Sequence, residues 1–333
     1  MKKEIIKTII DGLDSTHPLK KHSCYVDVLV DCLEEIEDCE LEKIKTLLCG
    51  KTTYDKFVYN QGVSELFLYF LFSKQERTFE VEKKMVSGNN HNVDISIEDE
   101  EYTYNFEVKS PKYLEPKVDD GTMKLRCVHR FDEKEKSDTM MQSLIEEIKP
   151  NLEEAGYSDC QKIALTDNKT KDCLLSAQEK FPVPSSTNCN VLFICTTTSE
   201  FVNYIEYFCN KSSGFFTKGS DVSSFLDFEK NPLTHDHYNK VNAVILSNAI
   251  TLNERRNTLS WDLNNALNLV LINPDSIASG DNQNSITNLL SFFPNCNDDY
   301  KKECILFYED HEGFPFLTFL LDFVAKKGYG LNS

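Results

Sequence analysis

The stretch "NNHNVDISIEDEEYTYNFEVKSPKY", residues 89–113, sets charged side chains inside two segments that otherwise read as β-strands. Side chains along a strand point alternately to opposite faces. In "YTYNFEVK" this places Tyr102, Tyr104, Phe106 and Val108 on one face and Thr103, Asn105, Glu107 and Lys109 on the other. In "VDISI", Val93, Ile95 and Ile97 alternate with Asp94 and Ser96. A turn at "EDEE" aims both apolar faces at one core, because a buried face fixes the register. Asp94, Glu107 and Lys109 then share the opposite face, two carboxylates beside one ammonium. Nearby carboxylates repel unless a cation joins them. Mg²⁺ takes one or two such hard oxygen ligands and completes its shell with water and substrate phosphate. A lysine beside such a site is placed to stabilise charge on the phosphate or to orient attacking water.

The flanking sequence supplies an α/β frame. Residues 1–57 read as helices, "KKEIIKTIIDGL" and then "YVDVLVDCLEEIEDCELEKIKTLLCG", with Leu29, Leu33 and Ile36 at helical spacing and Gly50 as a stop. "VYNQGVSELFLYFLFSKQ" predicts an apolar helix with Val63, Leu66, Phe67 and Phe70 along one stripe and Glu65 at its polar edge. "TFEVEKKMV" predicts a strand ahead of the hairpin. "DTMMQSLIEEIKPNLEEAG" predicts a helix with Asp138 as N-cap, Pro150 near its end and Gly156 beyond. "VLFIC" at 191, "VNAVILS" at 241 and "LNLVLINP" at 267 predict buried strands, and "TSEFVNYIEYF" a helix capped by Thr198 or Ser199. Strands alternating with helices make the class α/β with a mixed central sheet flanked by helices. "ITNLLSFF" and "FPFLTFLLDFVAKKGYG" predict a helical tail. The expected division is a helical region at 1–57, an α/β core at 58–280 and a helical region at 281–333.

Asp94, an interval of twelve residues and then Glu107-Val108-Lys109 resembles the D…(D/E)-x-K signature of the PD-(D/E)xK nuclease superfamily. The resemblance covers residues 59–150 and more loosely the later strands; Val93 stands where many members carry proline. It implies a restriction-endonuclease-like core. It also implies Asp94 and Glu107 as ligands of a divalent metal, Mg²⁺ or Mn²⁺, with the Val108 carbonyl completing the site. Lys109 would act at the phosphate and the water, and Glu65 as an accessory acid. Gln142 falls on the second helix, where some nuclease branches carry a Gln followed four residues on by Tyr; here that residue is Glu146. The function implied is metal-dependent hydrolysis of phosphodiesters in nucleic acid, with DNA the expected substrate, in restriction or defence. Cutting both strands of a duplex needs two sites, hence a homodimer. Two rivals stand beside it: a protein that keeps the nuclease fold without the chemistry, for binding or regulation, and an interaction module with an unrelated charged hairpin.

The net charge of −18 excludes a surface that is basic all over and leaves room for a local basic groove. "NERRN" at 253–257 offers Arg255 and Arg256 as candidate phosphate contacts. Trp261 reads as a packing residue, and His235 and His237 in "THDHY" as solvated loop residues. No phosphate-loop motif is present, which argues against an NTPase motor. The twelve cysteines lie scattered with no C-x-x-C pair, as reduced, buried thiols do in the cytosol. The apolar run Leu66 to Phe72 is too short to cross a bilayer, and "MKKEIIKTIIDGL" reads as an amphipathic helix rather than a signal. A cytoplasmic protein without membrane contact is the expectation.

Overall fold

The computed structural model describes residues 2–34, 46, 48, 54–85, 92–99, 101–112, 122–125, 134–162, 167–210, 212–277 and 283–293. The hairpin is present. Strand β1 (Phe79–Lys83) pairs antiparallel with β2 (Val93–Asp99), and β2 antiparallel with β3 (Tyr102–Lys109). Asp99 lies opposite Tyr102, so the turn falls within "EDEE". Strands β4 (Thr122–Leu125) and β5 (Asp159–Lys162) form a separate parallel pair. The main sheet continues from β3 through β6 (Asn188–Cys195) and β7 (Ala243–Ser247), all parallel, to β8 (Asn268–Ile272), which returns antiparallel. Its order is β1-β2-β3-β6-β7-β8, six strands of mixed direction. The three apolar runs are buried almost throughout, as strands covered on both faces must be.

Helices α1 (Lys2–Asp11), α2 (Pro18–Lys21) and α3 (Ser23–Glu34) lead into α4 (Lys56–Lys74), whose N-cap Asp55 accepts the N–H groups of Phe57 and Val58 at 2.8 and 3.2 Å. The expectation of a single apolar stripe fails for α4, which is buried on nearly every side from Tyr59 to Phe72. On one side Phe72 meets Phe106 of the sheet, ring centroids 5.3 Å apart. On another, Tyr59 shares a 2.5 Å hydroxyl hydrogen bond with Tyr25 of α3. A helix apolar all round belongs in the interior.

Helix α5 (Lys134–Glu154) starts four residues before the expected cap, so Asp138 lies inside it; "KEK" is good helix former and extends the first turn. Beyond its end Gly156 takes φ +89°, while Tyr157 N–H donates to the Leu152 carbonyl and Gly156 N–H to that of Glu153. That Schellman ending needs a left-handed residue, which glycine supplies without strain. Helix α6 (Asp167–Lys180), which the sequence reading lacked, precedes β6. Helix α7 (Thr198–Cys209) has Thr197 rather than Thr198 or Ser199 at its N-cap. Helix α8 (Ala249–Glu254) follows β7, and α9 (Gln283–Phe292) brings Phe292 to 4.9 Å from the Tyr104 ring. The expected tail at 314–330 and most of the helix expected over 35–50 fall outside the described residues. Among the described residues no helix is long and apolar enough to cross a membrane.

Part of the polar face of the hairpin does not face water, and α6 reaches that face through Lys180. Ser96, Asn105 and Glu107 are buried there. Ser96 Oγ donates to Asn105 Oδ1 (3.1 Å), Asn105 Nδ2 donates to the Oδ1 atoms of Asn188 (2.7 Å) and Asn190 (3.0 Å), and Asn190 N–H donates to Asn242 Oδ1 (2.8 Å). This row crosses β2, β3 and β6 and locks their register, since buried polar groups are costly to leave unpaired. Asn105→Ala strands three partners at once and is expected to destabilise the protein by about 2 kcal/mol or more in urea unfolding. A loss under about 0.5 kcal/mol would mean that the row carries no shared load. All seven described cysteines are free thiols. Burial pushes Cys173, Cys189 and Cys195 up to about 12, which keeps them unreactive, whereas Cys24 is exposed, against the expectation of burial.

Candidate metal and phosphate site

The site lies where β2 leaves β3. The two strands pair from Asp99–Tyr102 to Ile95–Phe106, and beyond that point β2 keeps its register with β1 through Val93 opposite Lys83. On its β2 side the backbone of β3 past the parting is satisfied by side chains, while β6 pairs its other side to Lys109. Asp94 Oδ2 accepts the Val108 N–H at 2.7 Å. Gln61, on α4, donates from Nε2 to the Val108 carbonyl (3.0 Å) and to Glu65 Oε1 (3.1 Å), and its Oε1 accepts the Ser110 N–H (2.9 Å). Gln61 thereby fixes the end of β3 and ties Glu65 to it.

Glu107 is fully buried. Its Oε1 accepts from two ammoniums, Lys109 Nζ at 2.7 Å and Lys180 Nζ at 2.6 Å. Lys180 is the last residue of α6, and its ammonium also lies 4.0 Å from Asp94 Oδ1. The Lys180 ammonium thus stands between the two carboxylates, hydrogen-bonded to Glu107 and within ion-pair reach of Asp94. Glu107 Oε2 is buried and accepts no hydrogen bond among the described residues. Burial, and next the charge of Asp94, raise Glu107 to about 7 against the opposing pull of Lys109 and Lys180. Burial works to lower Lys109, and the Glu107 carboxylate outweighs it, leaving Lys109 above the ordinary lysine value.

Asp94, Glu107 and Lys109 thus lie on one side of the sheet, joined by the Lys109 and Lys180 ammoniums, while the Val108 carbonyl accepts from Gln61. Glu65 is buried at 4% exposure instead of lying at a polar edge, because α4 has no polar edge. Gln142 lies apart, exposed on α5 with Nε2 bonded to Glu146 Oε1 (3.1 Å), beside a cavity of about 340 Å³ lined also by Lys149, Tyr157 and Cys160. Arg255 is exposed at the end of α8. Arg256, at φ +52°, turns inward: its Nη1 donates to the hydroxyls of Tyr25 (2.8 Å) and Tyr59 (3.2 Å), with the guanidinium 5.1 and 5.2 Å from the two ring centroids. That guanidinium, partly buried, holds α3 to α4 through the two tyrosines. Arg256→Met is expected to lower stability by about 1–3 kcal/mol in thermal melts, as loss of charge-assisted hydrogen bonds does; an unchanged melting temperature would free it for a surface role. His237 caps its own turn through Thr234 (2.8 Å), so it too is occupied locally.

Two site residues escaped the sequence. Lys180 stands 73 residues from Glu107, and no local spacing could bring it there. Gln61 carried one signal, its position one helical turn before Glu65.

Comparison with protein-family models, with curated proteins and with solved structures finds no match for this chain. The chemistry of the site stands on its own donors. Two carboxylates and a carbonyl, all oxygen, suit Mg²⁺ or Mn²⁺, and a buried carboxylate oxygen without a donor is the kind of atom a cation satisfies. Among the described residues no three His, Cys, Asp or Glu side chains gather around one point.

Proposed function

We propose that the protein is a metal-dependent nuclease, hydrolysing phosphodiester bonds of DNA as an endonuclease of restriction or defence type, on a restriction-endonuclease-like core. The observation that supports this reading is the Lys180 ammonium lying between Asp94 and Glu107, with Lys109 on the Glu107 carboxylate, where β2 and β3 part. Asp94, Glu107 and the Val108 carbonyl would hold Mg²⁺ or Mn²⁺. Bound there, the ion would supply a Lewis acid for a phosphoryl oxygen and lower the pKa of a water. Lys109, 26% exposed, is positioned to reach a phosphate and to stabilise the charge that builds on it. Gln61 keeps the Val108 carbonyl in place, and Glu65, which accepts from Gln61, would act as an accessory acid. A duplex substrate would call for a homodimer.

A second reading, a nuclease-fold protein that binds without cutting, draws on one observation: Lys109 and Lys180 already face the two carboxylates as counter-charges. The deciding experiment is cleavage of plasmid, linear duplex, single-stranded DNA and RNA with Mg²⁺ or Mn²⁺, comparing wild type with Asp94→Ala and Lys109→Ala. Metal-dependent cleavage lost in both variants supports the nuclease and names its substrate. No cleavage of any substrate, with retained binding of duplex DNA, supports the second reading.

A further inference from the structure

We infer that the Lys180 ammonium is a built-in counter-cation that holds the divalent ion's place between Asp94 and Glu107, so that the ion and Lys180 compete for the same two carboxylates. This rests on the metal-site reading above. A fully buried carboxylate requires a compensating charge. With Glu107 ionised, two carboxylates face two ammoniums and their charges cancel. A divalent ion added to that set would leave two excess positive charges at contact distance, where like charges repel strongly. One ammonium must withdraw when the ion enters.

The geometry points to Lys180 as the one that leaves. Lys109 belongs to β3 itself, two residues from Glu107 on the same face. Lys180 arrives from another element and is the ammonium that lies near both carboxylates. Its backbone is held: the Lys240 ammonium donates to the carbonyls of Gln178 (3.4 Å) and Phe181 (3.2 Å), Lys240 N–H donates to Gln178 Oε1 (2.8 Å), and Cys173, Leu174, Leu175 and Ala177 bury α6 against the core. Its side chain is 19% exposed, and Asp94 and Glu107 are the partners of its ammonium among the described residues. A flexible four-carbon stem can therefore carry the charge toward solvent without moving the helix. The consequence is a site that admits metal weakly at rest.

The test is titration calorimetry of the full chain with Mn²⁺, for wild type, Lys180→Met, Lys180→Arg, Asp94→Asn and the Lys180→Met/Asp94→Asn double variant. Lys180→Gln runs in parallel in case the Met variant folds poorly. Removing the competing charge is expected to tighten Mn²⁺ binding at least about tenfold in Lys180→Met. Lys180→Arg, which keeps the charge, stays within about threefold of wild type by the same argument. The double variant loses binding. Thermal melts give a second readout: metal-free Lys180→Met melts below wild type, and Mn²⁺ raises its melting temperature more than it raises that of wild type. Binding by Lys180→Met through Asp94 in the face of none by wild type would be the strongest support. Unchanged or weaker binding in Lys180→Met, with Asp94→Asn still abolishing it, overturns the competition and leaves the metal site standing. No Mn²⁺ binding by any form overturns both.

Discussion

Glu107→Gln is expected to abolish metal-dependent cleavage and, in the metal-free protein, to remove a loss of stability that wild type suffers between pH 5 and 8. The first effect follows from the proposed role. Gln offers a neutral oxygen in place of the buried carboxylate, and losing one charge-stabilising group costs on the order of a thousandfold in rate. The second effect needs no assumption about function. Burial raises Glu107 from an ordinary 4.5 to about 7 in the folded chain. A raised carboxyl holds its proton more tightly folded than unfolded, so its stabilising contribution is complete below the unfolded value and is lost as pH rises through about 7. The separation corresponds to roughly 3 kcal/mol at most. Gln cannot ionise and should show no such fall. Urea unfolding with EDTA at pH 5, 6, 7 and 8 reads the difference, since surface acids common to both forms cancel. Parallel curves would mean that Lys109 and Lys180 keep Glu107 ionised across the whole range.

This prediction turns on a feature that alternation alone could not give. The pattern in "YTYNFEVK" placed Glu107 and Lys109 on one face, and the structure keeps them there. What it withheld was the cover over that face. Strand periodicity reports which side chains point together and is silent about what packs on them, so a polar face reads as a wet one. Asn105 and Ser96 are buried in a polar row that β6 continues by presenting Asn188 and Asn190 in register. Helix α6 itself, "DNKTKDCLLSAQEK", is polar over most of its length, and its buried residues Cys173, Leu174, Leu175 and Ala177 make a short face that stands out only once a sheet lies beneath it. Strands β4 and β5, four residues each, are too brief for a period to register. The three apolar runs at 191, 241 and 267 were legible because a doubly covered strand is apolar on both faces. Their order, parallel through β7 and then antiparallel to β8, depends on contacts made far along the chain.

Trp261→Ala is expected to cost about 3–5 kcal/mol, the range for truncating a buried aromatic in a core that cannot collapse around the gap. Trp261 is 1% exposed. It stacks on Tyr25 of α3 at 4.8 Å, meets Phe70 and Phe67 of α4 at 5.9 and 6.3 Å, and donates its indole N–H to the Tyr25 carbonyl at 3.0 Å. Three segments distant in sequence therefore meet on one ring, beside Arg256, which bridges Tyr25 to Tyr59. If the helices before residue 57 were a detachable cap, removing the ring would release them in an early step and leave the main transition in place. The shared ring predicts the opposite, one cooperative transition moved as a whole. As the single tryptophan of the chain, Trp261 also serves as the probe: its fluorescence and far-UV circular dichroism should lose structure at the same urea concentration in wild type. In the variant, circular dichroism and tyrosine fluorescence should coincide at a lower one. Separate midpoints, or a loss below about 1 kcal/mol, would detach the N-terminal helices from the core that positions Gln61 and, through it, the end of β3.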